Sequence, residues 1–178
     1  IKNFSEKLNE KELPESSTKI LTALSDEALT AINLSRSLLD FLDNKENLLK
    51  SPINFSELMN KYLVLLSEYA KKKNVKILKK INVDVLVNAD KEQLYTACLQ
   101  IVKNACESMP GGGKIFISAF TKGENVLIEF KDTGTGIPSS LKEHVFDVFM
   151  SHGKTNSIGL GLTIAKKIVI EHGGSISV

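Results

Sequence analysis

The sequence predicts an α+β protein in two parts: a helical hairpin that joins a second copy as a dimeric four-helix bundle, followed by an α/β sandwich with helices on one face of a mixed sheet. Three observations carry this expectation. Leu21, Leu24, Ala28, Ala31, Ser35, Leu38 and Leu42 step by threes and fours, the spacing of a heptad seam. Beyond the polar stretch 43–47 and Ser51-Pro52, helix-like and strand-like periodicities alternate, which an all-helical chain would not show. Thr121-Lys122-Gly123-Glu124-Asn125 separates two β-prone runs, so those strands lie side by side in a hairpin.

In chain order, residues 1–12 carry Ile1, Phe4 and Leu8 at helical spacing, and Pro14-Glu15-Ser16-Ser17 then forms a turn into a new helix. That helix, to about Leu42, bears Ile20, Leu29, Ile32, Leu39 and Phe41 beside its seam. One short helix returning along it cannot cover so broad an apolar face, and a homodimer is expected. Residues 1–50 thus read as a dimerisation hairpin with its linker, and residues 51–178 as a second domain. There, residues 55–73 have helical period, with Leu58, Tyr62, Leu65, Leu66 and Tyr69 on one side. Residues 75–83 and 85–89 read as strands. Asp90 is placed to cap a helix over 91–109, with Leu94, Cys98, Ile101 and Ala105 toward the core and Gln100, Asn104 and Ser108 aligned on another stripe. Pro110-Gly111-Gly112-Gly113 cannot continue that helix. Strands over 115–120 and 126–130 follow, the second leading into Asp132, and the chain closes with a loop, a helix from Gly161 and a last strand.

Composition narrows the function classes. At 178 residues, 42% hydrophobic and 25% charged, the chain has the make-up of an ordinary globular protein with room for one good core and a smaller appendage. A net charge of +2, from 23 basic and 21 acidic residues, exerts no overall pull toward nucleic acid or a membrane surface. Neither is expected as a partner. Cys98 and Cys106 lie on one predicted helix about 12 Å apart, too far for a disulfide, and read as buried thiols of a reducing compartment. With no signal peptide and no apolar run of spanning length, a cytoplasmic location is expected. The chain begins at Ile1 without an initiator methionine, so it reads as a fragment whose parent has room for a membrane anchor.

The chemistry concentrates between Asp132 and Gly174. Asp132-Thr133-Gly134-Thr135-Gly136-Ile137-Pro138 places a carboxylate and two glycines at a strand end, where a carboxylate accepts from an exocyclic amine of a base. A plain turn explains this motif alone equally well. Gly159-Leu160-Gly161-Leu162 runs into a helix whose N-terminus suits phosphate. Lys154 offers one cation between the two, with Ser151, Thr155 and Ser157 as hydroxyl donors. Asn104 sits mid-helix, where a lone Asn is most simply paired within the core. The alternative is an amide oxygen on a Mg²⁺ ion that bridges phosphates.

Asn104 within LQIVKNACES, Asp132-x-Gly134-x-Gly136-Ile137-Pro138, Phe146-x-x-Phe149 and Gly159-Leu160-Gly161-Leu162, in that order, resemble the N, G1, F and G2 boxes of sensor histidine kinases, members of the GHKL ATP-binding superfamily. The resemblance covers about residues 50–178, and residues 1–43 are similar, less specifically, to the dimerisation and phosphotransfer hairpin. It implies ATP and Mg²⁺ as ligands, with Asn104 on the metal, Asp132 reading adenine, and Gly134, Gly136 and Ile137 beside the ring. A lid over about 138–158 would be anchored by Phe146 and Phe149. Lys154 would approach the phosphates, with Gly159, Leu160, Gly161 and Leu162 binding them through backbone N–H groups. The implied reaction is γ-phosphoryl transfer to a histidine and then to an aspartate on a response-regulator receiver domain.

Two departures from that pattern matter, and one residue separates it from related ATPases. His144, His152 and His172 all fall in the lid or the helix after it, so the acceptor histidine is expected upstream of Ile1. Ser157-Ile158 stands where the family has Gly-Thr. Gln100 occupies the position at which gyrase-type and chaperone ATPases carry a general-base glutamate, and an amide cannot take a proton from water. Efficient hydrolysis is disfavoured accordingly. A serine-kinase anti-sigma factor would share the boxes without needing the N-terminal hairpin. A non-catalytic nucleotide-binding interaction module is the reading from a different class.

Overall fold

The computed structural model describes residues 48–150 and 159–178, together with residues 17, 19–25, 28, 32 and 35. The chain divides into two compact units, Ile1–Asn44 and Lys45–Val178. In the first, residues 19–25 are helical, and Ile20, Leu24 and Ile32 are exposed. The hairpin turn near Pro14, most of the heptad seam and the bundle expected from them lie outside the described residues.

The second unit begins with β1 (Ser51–Asn54), which runs straight into α1 (Phe55–Lys71). Asn54 ends the strand and caps the helix, its Oδ1 accepting from the Glu57 amide at 3.1 Å. α1 buries Phe55, Leu58, Met59, Tyr62, Leu63, Leu66 and Ala70, one face at helical spacing. Leu65, expected on that face, is 50% exposed beside Val64 at 61%. The apolar run 63–66 wraps past the contact zone, and only Leu63 and Leu66 meet the core.

β2 (Val75–Asn82) and β3 (Leu86–Ala89) follow, then α2 (Lys91–Glu107), capped by Asp90 as expected. β4 (Gly113–Lys122) and β5 (Asn125–Asp132) form the anticipated hairpin. Among the described residues, five strands make two sheets. β1 pairs antiparallel with β3, from Ser51↔Ala89 to Asn54↔Leu86. In the second sheet, ordered β2-β4-β5, β2 runs parallel to β4 from Val75↔Gly113, and β4 runs antiparallel to β5 from Ile115↔Asp132. The parallel pair needs a long crossover, and the segment containing β3 and α2 supplies it. This mixed sheet with helices on one face is the predicted α+β class. β1 was not expected as a strand, because Ser51-Pro52 reads as a linker end. Proline is compatible with an edge strand, and only pairing with β3 reveals this one.

Strand alternation sorts the faces. Ile115, Ile117 and Ala119 point inward with Val75 against α1 and α2, while Phe116, Phe120 and Leu127 face out. Met59 and Leu66 are fully buried, each worth roughly 1.5–3 kcal/mol of transfer free energy. α2 contributes Cys98, Val102, Ala105 and Cys106 to this core. Ile101, also expected there, is only half-buried. By helical geometry it shares the face of Ala97 and Gln100, which turns toward α3 (Gly161–Glu171). α3 packs on α2 through a second set of buried residues that includes Leu160, Ile164, Ala165 and Ile168. The expected last strand is not formed: residues 174–178 pair with no strand among the described residues.

Among the described residues, no helix is long and apolar enough to cross a membrane. Both cysteines are buried free thiols, and burial pushes the Cys98 thiol up to about 12.

Candidate functional site

The polar stripe of α2 runs between the two glycine motifs. At its C-terminal end Ser108 lies against Asp132, the last residue of β5. Ser108 Oγ is 2.8 Å from the Ala105 carbonyl and 3.3 Å from Asp132 Oδ1, which also accepts from the Gly134 N–H at 2.8 Å. Asp132 is exposed, and among the described residues its hydrogen bonds run through Oδ1. Thr133 fastens the turn from the other side, its N–H donating to the Lys114 carbonyl at 3.1 Å and its Oγ1 accepting from the Lys114 N–H at 3.1 Å.

The two glycines of this turn are required for different reasons. A Cβ on Gly134 would lie 2.0 Å from Ser108 Oγ and 2.8 Å from Ser108 Cβ, so this residue is bare to let the strand end close on α2. Gly136 has φ of +73° with open space where a Cβ would stand, so its need is conformational. Ile137 is half-buried, and Pro138 leads into the short 3-10 turn Ser139–Leu141.

At the other end of the stripe, Gln100 Oε1 sits 3.0 Å from the position a Cβ on Gly161 would take. Gly161 is the first residue of α3, and Leu160 before it is buried and supplies no side-chain cap. The opening N–H groups of α3 therefore carry the partial positive charge of a helix start that the side chain of Leu160 does not cap. Asn104 is half-buried between Gln100 and Ser108, one helical turn from each.

α3 also holds the intervening loop. Thr163 Oγ1 lies 3.0 Å from the Phe146 carbonyl and 3.2 Å from that of Asp147, and Lys166 Nζ stands 5.7 Å from the Phe146 ring centroid. Phe146 is buried, as an anchor must be. Phe149 is not an anchor: it is 61% exposed and held at φ of +65°, a region strained for a bulky residue. Its backbone makes the bend that brings Met150 against Gly159, where φ is +72° and a Cβ would fall 2.5 Å from the Met150 carbonyl carbon. The residues flanking 151–158 are thus in backbone contact. Lys154, Ser151, Thr155 and Ser157 lie outside the described residues.

The fold therefore brings Asp132 and Gly134 beside Ser108 and Gly161 beside Gln100, with Asn104 between them on α2. Sequence reasoning overlooked the role of Thr163, since a threonine in the first turn of a helix has no distinctive pattern. It noticed Ser108 in the stripe without foreseeing its contact with Asp132.

Residues 89–178 match the family described as histidine kinase-, DNA gyrase B-, and HSP90-like ATPase. The chain belongs to that family. The matched residues form the kind of ATP-binding domain that the motifs resembled. The chain is 37% identical over 94 residues to sporulation kinase D of Bacillus subtilis (strain 168), covering 53% of the chain and 18% of that kinase. It is 33% identical over 129 residues to sporulation kinase B of the same organism, covering 72% of the chain and 30% of the kinase. The chain thus spans less than a third of either relative's length. The crystal structure of histidine kinase ThkA in complex with the response regulator protein TrrA superposes with a TM-score of 0.74 at 25% identity, over 98% of this chain and 51% of that one.

Proposed function

We propose that the chain is the ATP-binding part of a two-component sensor histidine kinase. It would take Mg-ATP and deliver the γ-phosphoryl group to a histidine upstream of Ile1, from which an aspartate of a response-regulator receiver domain receives it. The observation that carries this reading is the pairing of the two glycine motifs with opposite ends of one stripe. Gln100, Asn104 and Ser108 span about 12 Å along α2. An exposed carboxylate stands at one end, and a helix start without a side-chain cap stands at the other.

In this reading Asp132 Oδ2 accepts a hydrogen bond from the exocyclic amine of adenine, while Gly134 and Ser108 keep Oδ1 in place. Gly136 and Ile137 line the ring's edge. Phosphate oxygens take the N–H groups at Gly161 and Leu162, with Gly159 and Leu160 shaping the approach, and Lys154 adds a cation from residues 151–158. A carboxamide oxygen is a fitting hard donor for Mg²⁺, and Asn104 is the residue that would hold it. Bound there, the ion supplies charge neutralisation on the phosphates. Phe149, exposed as it is, acts from the loop's outer side. Gln100 beside Gly161 can orient a group at the phosphate end but cannot deprotonate water, which favours transfer over hydrolysis. Ile20, Leu24 and Ile32, exposed at 60%, 57% and 41%, support homodimerisation through residues 15–42. The partner seen in the ThkA complex supports a receiver domain as the phosphoryl acceptor's successor, and the reading places this reaction in the cytoplasm.

Titration with ATP and Mg²⁺ tests the site. Asn104→Ala and Asp132→Ala are each expected to weaken binding by at least tenfold, the loss of one charge-assisted contact or metal donor, with far-ultraviolet circular dichroism unchanged. Affinities equal to the unsubstituted chain would place nucleotide elsewhere.

A further inference from the structure

The segment entering the second unit makes polar contacts with the ends of two helices. Leu49 is 82% exposed, so its side chain anchors nothing. Its N–H instead donates to Asp90 Oδ2 at 3.0 Å, and Lys50 Nζ donates to the Glu171 carbonyl at 2.8 Å. Asp90 caps the start of α2, and Glu171 is the last residue of α3. His172 ties the two helix ends together: its Nε2 accepts from the Asp90 N–H at 3.0 Å, and its Nδ1 lies 2.8 Å from the Ile168 carbonyl. Both ring nitrogens are thereby used, one as acceptor and one as donor. The imidazole is fixed in orientation by backbone on both sides.

Every residue of this clasp belongs to the Lys45–Val178 unit. Its position matters because α3 is a single rod of 11 residues, about 16 Å long, with Gly161 at one end and the clasp at the other. The helix that offers its start to phosphate is the helix whose end receives the incoming chain. Lys50 suits that end chemically, since an ammonium at a helix C-terminus meets exposed carbonyls and the negative pole of the dipole.

We infer that Lys50 and His172 are positioning residues for phosphoryl transfer, fixing where the chain leaves the nucleotide-binding unit relative to α3 and so the direction in which the phosphoryl group is presented. The inference rests on the kinase reading above. Neither residue touches the nucleotide motifs, so they act through the backbone of residues 48–50 and of α3. A misplacement of the donor by about 1 Å is enough to slow a transfer strongly.

The test compares Lys50→Met, Lys50→Arg, His172→Ala and His172→Gln in the intact kinase. Transfer to the acceptor histidine is followed at saturating ATP, and ATP affinity is measured separately. Lys50→Met and His172→Ala are expected to slow transfer about tenfold while ATP affinity stays within about twofold. Lys50→Arg, which still donates to the Glu171 carbonyl, and His172→Gln, which still offers an acceptor to the Asp90 N–H, should recover most of the rate. Transfer at the normal rate in Lys50→Met overturns the inference, as does a parallel loss of ATP affinity, which would reduce the clasp to general stability. If His172→Ala fails to fold, the Lys50 pair decides alone. An unsubstituted protein that fails to bind ATP is a different result, and it overturns the kinase reading beneath.

Discussion

Gly134→Ala is the sharpest test of how the strand end meets α2. The added methyl would stand 2.0 Å from Ser108 Oγ, 2.8 Å from Ser108 Cβ and 2.9 Å from Asp132 Oδ1. Rotating the hydroxyl away relieves only the first clash and forfeits its contacts at 2.8 Å with the Ala105 carbonyl and 3.3 Å with Asp132. Those contacts are worth about 1 kcal/mol together with the overlap's own cost of about 1–3 kcal/mol, so a loss of about 2–4 kcal/mol is expected. For a chain of this size that lowers the melting temperature by roughly 5–15 °C. Because Asp132 must move as well, ATP affinity should drop by about tenfold, one mispositioned hydrogen bond to a charged group. Ser108→Gly in the same chain removes the two nearer of the three offending atoms at a helix end that tolerates glycine, and should recover at least half of the loss. Thermal melting and ATP titration of the two single variants and the double variant complete the cycle. A Gly134→Ala protein that melts within about 2 °C of the parent, or a double variant no better than the single, would refute the packing argument.

Gly159→Ala combines a left-handed φ with a Cβ 2.5 Å from the Met150 backbone, which cannot rotate out of the way. A loss above about 2 kcal/mol is expected in chemical denaturation, larger than the conformational term of about 1–2 kcal/mol alone; a change under about 0.5 kcal/mol would show that Met150 and Gly159 are not in contact. Asp90 sets the acid limb of stability. Burial raises its carboxyl pKa, but hydrogen bonds from the Gln93, Leu49 and Glu92 amides, with a smaller electrostatic contribution from the neighbouring His172 ring, outweigh burial, and the net shift is downward. A carboxyl lower in the folded than in the unfolded state stabilises above the unfolded value of about 3.9, and that contribution is lost as pH falls through the folded one. Asp90→Asn should therefore flatten the acid-side fall in melting temperature below about pH 4, and an unchanged pH profile would count against the role assigned to this cap.

Much of the second unit was legible before any coordinates. Helix-period runs located α1 and α2 closely, the second with its Asp90 cap, and two β-prone runs around a turn located the β4–β5 hairpin, because those signals are local. β1 escaped because its identity depends on β3, more than thirty residues later. Leu65 and Ile101 were misassigned because hydrophobicity tells which residues prefer burial, while the partner surface determines how wide the buried stripe is. Phe149 shows the same limit, since spacing from Phe146 cannot reveal that its backbone turns left-handed and leaves the ring in solvent.

By itself the sequence determined the family, the order of the motifs and the chemical types at the site, because these reside in residue identity and short-range spacing. Tertiary structure alone decided that Ser108 buttresses Asp132, that Gln100 faces Gly161 and that His172 joins the start of α2 to the end of α3. Each of those contacts links residues far apart in the chain, and its existence depends on the packing of whole elements. A side chain's own preferences carry no record of which distant backbone will arrive beside it.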